Sequence, residues 1–118
     1  MIRFSIDYSL LSIDHVREIA FALPEVVERD HVGKPSLRTN NKIFVTLWEQ
    51  ENRACLKLSL PDQAMYCTSN PEIFHPVHGG WGRMGFTFAE LDLISKKKLK
   101  EALVSAWTNA SIKKKGKK

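Results

Sequence analysis

Two cysteines, Cys55 and Cys67, are the whole thiol content of the 118 residues. With no CxxC and no second pair, they write neither a zinc ribbon nor a disulfide framework, and both are expected to be reduced and buried. Long apolar runs are missing as well, since nothing approaches the roughly 20 residues that a membrane helix needs. The opening MIRFSIDYSLLSID carries Arg3 and then Asp7 and Asp14, without an uninterrupted apolar stretch or a small-residue cleavage site. No export signal is therefore expected, and a soluble cytoplasmic protein is. No serine lies in a GxSxG context and no Walker pattern occurs. Gly79-Gly80-Trp81-Gly82 is read as lacking the helix that a phosphate-binding loop requires. With no catalytic constellation in view, the expectation is a non-enzyme with no cofactor and no metal.

What is present suffices for one domain. About 43% of the residues are apolar, 9% aromatic and 26% charged, a composition that buries a single core and argues against disorder. The formal charge of +5 is unevenly placed: Lys113, Lys114, Lys115, Lys117 and Lys118 crowd the last six positions. Without those five, the 18 basic residues fall to 13 against 13 acids. Residues 1–112 thus read as a neutral domain and 113–118 as a basic tail, an electrostatic handle for polyanions.

Along the chain, Ser12 is a plausible N-cap, and Ile13, Val16, Ile19, Ala20 and Leu23 share one helical face until Pro24. Pro24 to Pro35 looks like a charged loop, followed by a short edge strand at Ser36 to Thr39 and a turn at Asn40-Asn41. Lys42 to Glu49 and Arg53 to Leu60 are rich in strand formers and read as a hairpin or meander. In the second of these, Ala54, Leu56 and Leu58 oppose Arg53, Cys55, Lys57 and Ser59, giving one wet, basic face. The first strand is apolar on both sides, so its core face stays open. Pro61-Asp62 starts a short helix to about Thr68, and Asn70-Pro71 and His75-Pro76 are breaks. Trp81 to Phe88 reads as a strand, and Ser95 to Ala110 as an amphipathic helix burying Leu99, Ala102, Leu103, Ala106, Trp107 and Ala110. Lys96, Lys97, Lys98 and Lys100 sit near the positive end of its dipole, where they do not help the helix, and read as a solvated face beside Glu101.

Two other clusters bear on chemistry. His75 and His78 form an HxxH pair, with His31, Asp30 or Cys67 as a conceivable third ligand, but the pair lies among prolines and glycines rather than on a fixed helix face. Glu25, Glu28, Asp30 and His31 hold acid–base groups that would need a shared cleft; a charged surface loop is the simpler reading.

The ordered string ALPEVVERDHVGKPSLRTNNKIFVTLW (Ala22 to Trp48), CLKLSLPDQ (Cys55 to Gln63) and HGGWGRMGFTF (His78 to Phe88), then a terminal helix with Trp107, resembles the MmcQ/YjbR family over residues 12 to 112. Its more specific pieces are Leu23-Pro24 with Glu28, Gly33-Lys34-Pro35, Lys42-Ile43-Phe44 and His78 to Phe86. Glu25 departs from the glycine usual after Leu-Pro, so the turn there is expected to differ, and Met1 to Leu11 lie outside the resemblance. The resemblance implies an α+β domain, a two-layer CyaY-like arrangement of an antiparallel sheet packed against helices, with a proposed double-wing DNA-binding motif. It implies no catalytic residue. Iron handling of the frataxin type would need an acidic ridge, of which the first helix offers only Asp14 and Glu18.

The expected function is therefore DNA binding, with Lys34, Arg38, Lys42, Arg53, Lys57 and Arg83 on strands and turns meeting phosphates, and Lys113, Lys114 and Lys115 adding affinity. Trp48 and Trp81 are the candidates for base stacking, although strand aromatics usually belong to the core. The alternative is a protein-interaction or small-ligand adaptor with an apolar groove between the sheet and the last helix. His78, Trp81 and Arg83 would stand at its mouth. A metal-dependent hydrolase on His75 and His78 comes third. Basic residues from separate strands converging on one face would favour DNA, and a deep apolar pocket with few cations the adaptor.

Overall fold

The computed structural model describes residues 10–112. Ser12 does start a helix, α1 (Ile13–Phe21), its backbone N–H donating to His15 Nδ1 at 3.0 Å. The helix stops at Phe21, short of Leu23. Pro24 disfavours helical geometry in the residue before it, and Ala22 and Leu23 close the end with 3.2 and 3.0 Å bonds to Ile19 and Ala20 carbonyls.

The segment expected as a loop after Pro24 contains a strand, β1 (Val27–His31), which pairs antiparallel with β2 (Lys34–Thr39). The connecting residues Val32 and Gly33 have φ of 54° and 81°, the paired left-handed values of the tight hairpin turn that suits strand twist. The stretch expected as an edge strand is consequently longer and lies one place in from the edge. Pro35 fits because it faces only Asp30 of β1, and pairing to the next strand begins at Ser36.

Asn40 and Asn41, with φ of 56° and 62°, turn the chain into β3 (Lys42–Trp48), and β4 (Arg53–Lys57) follows, ending short of the expected Leu60 because Ser59 caps the next helix by accepting from the Asp62 N–H. Next come α2 (Leu60–Ser69), a short strand β5 (Phe74–Pro76), one helical turn α3 (Gly80–Arg83), β6 (Phe86–Glu90) and α4 (Lys96–Ser111). The anticipated strand from Trp81 is thus split. Its first residues form the single turn α3, which is built from the glycine run itself, and the element that follows is the strand, beginning only at Phe86. Gly85, with φ of 105°, makes the change of direction between them.

One six-stranded antiparallel sheet runs β1-β2-β3-β4-β6-β5. Its inner face presents Leu37, Val45, Leu47, Ala54, Leu56, Phe74 and Ala89 to Ile13, Val16 and Ala20 of α1, Tyr66 of α2, and Leu99, Ala102, Leu103 and Ala106 of α4. This is the two-layer α+β fold. The face of β3 that the sequence left open is decided by a bulge. Leu37 pairs with Val45 while Arg38 pairs with Ile43, so Phe44 is the extra residue and both Phe44 and Val45 are fully buried in the core. Among the described residues no helix is long and apolar enough to cross a membrane.

Candidate nucleic-acid interface

Register assigns every strand residue to one side of the sheet, because directly opposed residues share a face. One cross-strand row reads Arg29, Ser36, Thr46, Cys55, Phe88, His75. A second holds Trp48, Arg53 and Glu90, a third Arg38 and Ile43, and a fourth Lys57 and Phe86. His31 and Lys34 pair two residues beyond Arg29 and Ser36 and extend the same side. These residues lie opposite the layer of α1, α2 and α4, on a side that is helix-free apart from the single turn α3 at its border. Cys55 and Phe88 illustrate the division: both are buried, yet neither belongs to the core cluster between sheet and helices.

Charge segregates across the sheet. Within β1 the alternation puts Arg29 and His31 on the helix-free face and Glu28 and Asp30 on the other. Glu28 is held there by Arg17 of α1, whose Nε and Nη2 donate to Oε1 and Oε2 at 3.0 and 3.1 Å, and Glu28 raises the already high pKa of that guanidinium. The helix-free face thereby collects Arg29, Lys34, Arg38, Arg53 and Lys57 against a single strand acid, Glu90. Arg53 is committed to that acid, with Nη2 at 2.9 Å from Oε2, and His75 Nε2 reaches the same oxygen at 2.7 Å. Lys34, Arg38, Lys57 and Arg29 form no ion pair among the described residues.

Aromatic rings fill the spaces between the cations. The Lys34 ammonium lies over Trp48, the Arg53 guanidinium over Phe88 at 4.5 Å, and the Lys57 ammonium over Phe86 at 5.7 Å. Trp48 meets Phe88 edge-to-face at 4.9 Å, and Trp81 meets Phe86 likewise at 5.3 Å. Between these rings lies a pocket of about 340 Å³, walled chiefly by Trp48, Phe86, Trp81 and Ile43, with Thr46 and Cys55 on its floor and the β1–β2 turn at its rim. Burial pushes the Cys55 thiol up to about 11, only partly offset by its hydrogen bond with Thr46, so it remains a neutral thiol at physiological pH.

Several expected site residues fall elsewhere. Lys42 pairs with buried Thr39 and is therefore directed to the helix side. His78 and Arg83 are exposed and do not wall the pocket, whereas Trp81 does. The space between sheet and α4, where an adaptor groove was expected, is filled by Leu99, Ala102, Leu103 and Ala106, and the pocket is on the opposite face. Glu28 and His31 sit on opposite faces, so the acidic loop residues do not share a cleft. His75 is engaged by Glu90, and the described residues hold no group of three metal-ligating side chains. Lys98 lies 3.5 Å from Glu101 on the exposed face of α4. Lys113, Lys114 and Lys115 lie outside the described residues.

Arg29, Val32, Phe86 and Phe88 were missed as site residues. The signal for Arg29 was the alternation in Val-Glu-Arg-Asp-His, legible only once those residues are taken as a strand.

The sequence profile of the YjbR family matches residues 21–109, spanning the whole sheet and most of α4. The chain belongs to the YjbR family. No curated protein matches it. Its fold is shared with the crystal structure of the Deinococcus radiodurans protein DR2400, which carries a DUF419 domain. That structure superposes with a TM-score of 0.73 over 92% of this chain and 83% of its own, at 16% identity. At that identity the likeness establishes the α+β architecture and nothing of the ligand.

Proposed function

We propose that this YjbR-family chain is a binding domain rather than an enzyme, and that it holds DNA on the helix-free face of its sheet. The observation that carries the proposal is the segregation of charge. A domain neutral over residues 1–112 directs Arg29, Lys34, Arg38 and Lys57 to the face opposite α1, α2 and α4, while Glu28 and Asp30 turn to the other. Phosphates are the fitting ligand for such unpaired cations, which position a backbone without reading sequence. Arg53 contributes less because Glu90 already neutralises it, and the tail lysines Lys113, Lys114 and Lys115 extend the same chemistry. A small-ligand adaptor is the second candidate, favoured by the aromatic pocket itself.

The test is fluorescence anisotropy with labelled DNA across a salt series, using the full chain. Lys34, Arg38 and Lys57 are replaced together by alanine in one variant, and Lys113, Lys114 and Lys115 in another. Each neutralised phosphate contributes about 0.9 to the log–log salt slope, so loss of the three sheet cations is expected to lower it by about 2 to 3. A slope that responds only to the tail variant means that the folded surface is not the binding site.

A further inference from the structure

The aromatic pocket offers more than phosphate contacts require. Val32 is 89% exposed and Trp81 60% exposed, one on either side of the opening. Val32 holds φ of 54° at the hairpin tip, a conformation that costs a β-branched residue and that glycine or asparagine would adopt freely. An apolar side chain kept exposed at a strained position contributes nothing to the core. Below these two residues the walls are chiefly aromatic, with Ile43 and Val77 beside the rings. The polar side chains of the lining are few, Thr46 and Cys55 on the floor and His31 and Lys34 beside the β1–β2 turn. The Lys34 ammonium, 4.4 Å from the Trp48 ring centre, occupies an aromatic face that a flat ligand would cover equally well. At about 340 Å³ the space is near the small end of ligand pockets, roughly 300–1,000 Å³.

We infer that this pocket receives one unpaired base of a bound DNA strand, entering between Val32 and Trp81 to stack against Trp48 and Phe86 while adjoining phosphates meet Lys34 and Lys57. The inference rests on the DNA-binding function proposed above and names its substrate class: single-stranded or locally opened DNA, taken with little sequence preference. Charge complementarity selects the occupant, since the pocket is bordered by Lys34 and Lys57 and by no acid among the described residues. Aromatic walls accept any base by its π face. A base inside a duplex is unavailable until it is unstacked, so single strands bind more tightly than the corresponding duplex.

The experiment measures binding of the full chain to an oligothymidylate of about a dozen nucleotides, to an abasic oligomer with the same phosphates, and to thymidine monophosphate, with tryptophan fluorescence as a second readout. Oligothymidylate is expected to bind at least about tenfold more tightly than the abasic oligomer. Trp81→Ala and Val32→Gly should each shrink that gap to about threefold or less while leaving abasic binding unchanged. Val32→Gly also relieves the hairpin, so it folds at least as well as the parent and cannot fail for lack of structure. Equal binding of the two oligomers, or an unchanged gap in both variants, overturns the inference. So does a mononucleotide that competes as well as the oligomer, which would indicate a small-molecule site. If duplex binds and neither single strand does, the base pocket is refuted and DNA binding stands. If no DNA binds in any form, both fall.

Discussion

The Lys34 ammonium of β2 rests 4.4 Å from the centre of the Trp48 ring on β3, a cation held on an aromatic face at the middle of the helix-free side. Such a contact is worth about 0.5–1 kcal/mol at a partly exposed site, too little to fix the ammonium against a phosphate. Lys34→Ala and Lys57→Ala are each expected to lower the DNA salt slope by about 0.9. Lys96→Ala and Lys97→Ala, on the exposed face of α4, should leave it unchanged, and Arg53→Ala should have less effect than Lys34→Ala because Glu90 already holds that guanidinium. Equal losses from both sides of the sheet would mean diffuse attraction rather than a face.

Glu25 stands in the left-handed region with φ of 58°, immediately after the Leu-Pro pair where the family resemblance calls for glycine. An L-residue there costs roughly 1 kcal/mol that glycine avoids. Nothing offsets the strain, since Glu25 is exposed and forms no ion pair among the described residues. The turn itself is anchored from elsewhere, Trp107 Nε1 of α4 donating to the Pro24 carbonyl at 3.0 Å. Glu25→Gly is therefore expected to raise stability by about 0.5–1 kcal/mol, or a few degrees in Tm. Urea denaturation of the two proteins checks it, and a loss of stability would show that the side chain has a structural task.

Helices α1 and α4 were legible because their buried positions recur at helical spacing: Ile13, Val16 and Ala20 in α1, and Leu99, Ala102, Leu103, Ala106 and Ala110 in α4, are selected by periodicity and buried, while Ile19 and Trp107, also selected, are half-buried against the core. Strand β4 was legible for the same reason at period two. The outer strand β1 was not, because Val-Glu-Arg-Asp-His has no apolar alternation. All five residues are exposed, and the strand exists through its hairpin to β2 and through Arg17 gripping Glu28. Missing it hid Arg29 and the segregation of charge. The core face of β3 was illegible because a bulge buries both Phe44 and Val45, which simple alternation cannot express. The pocket was misplaced for a related reason: Trp48, Phe86 and Phe88 look like core residues in sequence, and only register puts them on the side without helices.

Cys55 gives the fold a specific alkaline sensitivity. Its thiol is buried among the rings of the helix-free face and its pKa stands at about 11 against the ordinary 9.0. A folded-state pKa above the unfolded value means that the folded chain binds the proton more tightly. The associated stability is fully present below about pH 9 and is lost as pH rises from there through about 11, by up to ~3 kcal/mol. Cys55→Ala should remove this component, so the difference in unfolding free energy between parent and variant narrows as pH rises through that window. A difference that stays constant from pH 8 to 11 would show that the thiol ionises alike in both states.

Gly82 and Gly80 make a matched pair for testing how α3 carries Trp81. A Cβ at Gly82 would overlap the Val77 carbonyl oxygen and come within 3.3 Å of the Pro76 ring, while one at Gly80 would meet only the Arg83 Nη2 at 3.8 Å. The Val77 carbonyl cannot retreat, because the Val77 amide is bonded to the Phe86 carbonyl at 3.0 Å. The Gly82 carbonyl in turn accepts from Gln63 Nε2 at 2.9 Å, tying α3 to α2. Gly82→Ala must therefore push α3 outward, breaking that bond and moving Trp81 off Phe86. The expected cost is about 2–4 kcal/mol, in the range of overpacked sites, with a change in tryptophan fluorescence as the edge-to-face contact is lost. Gly80→Ala, at an open helical position, should be neutral or stabilising by up to about 1 kcal/mol. Equal effects from the two substitutions would mean that α3 is free to shift, and that Trp81 is not held in place by the close approach at Gly82.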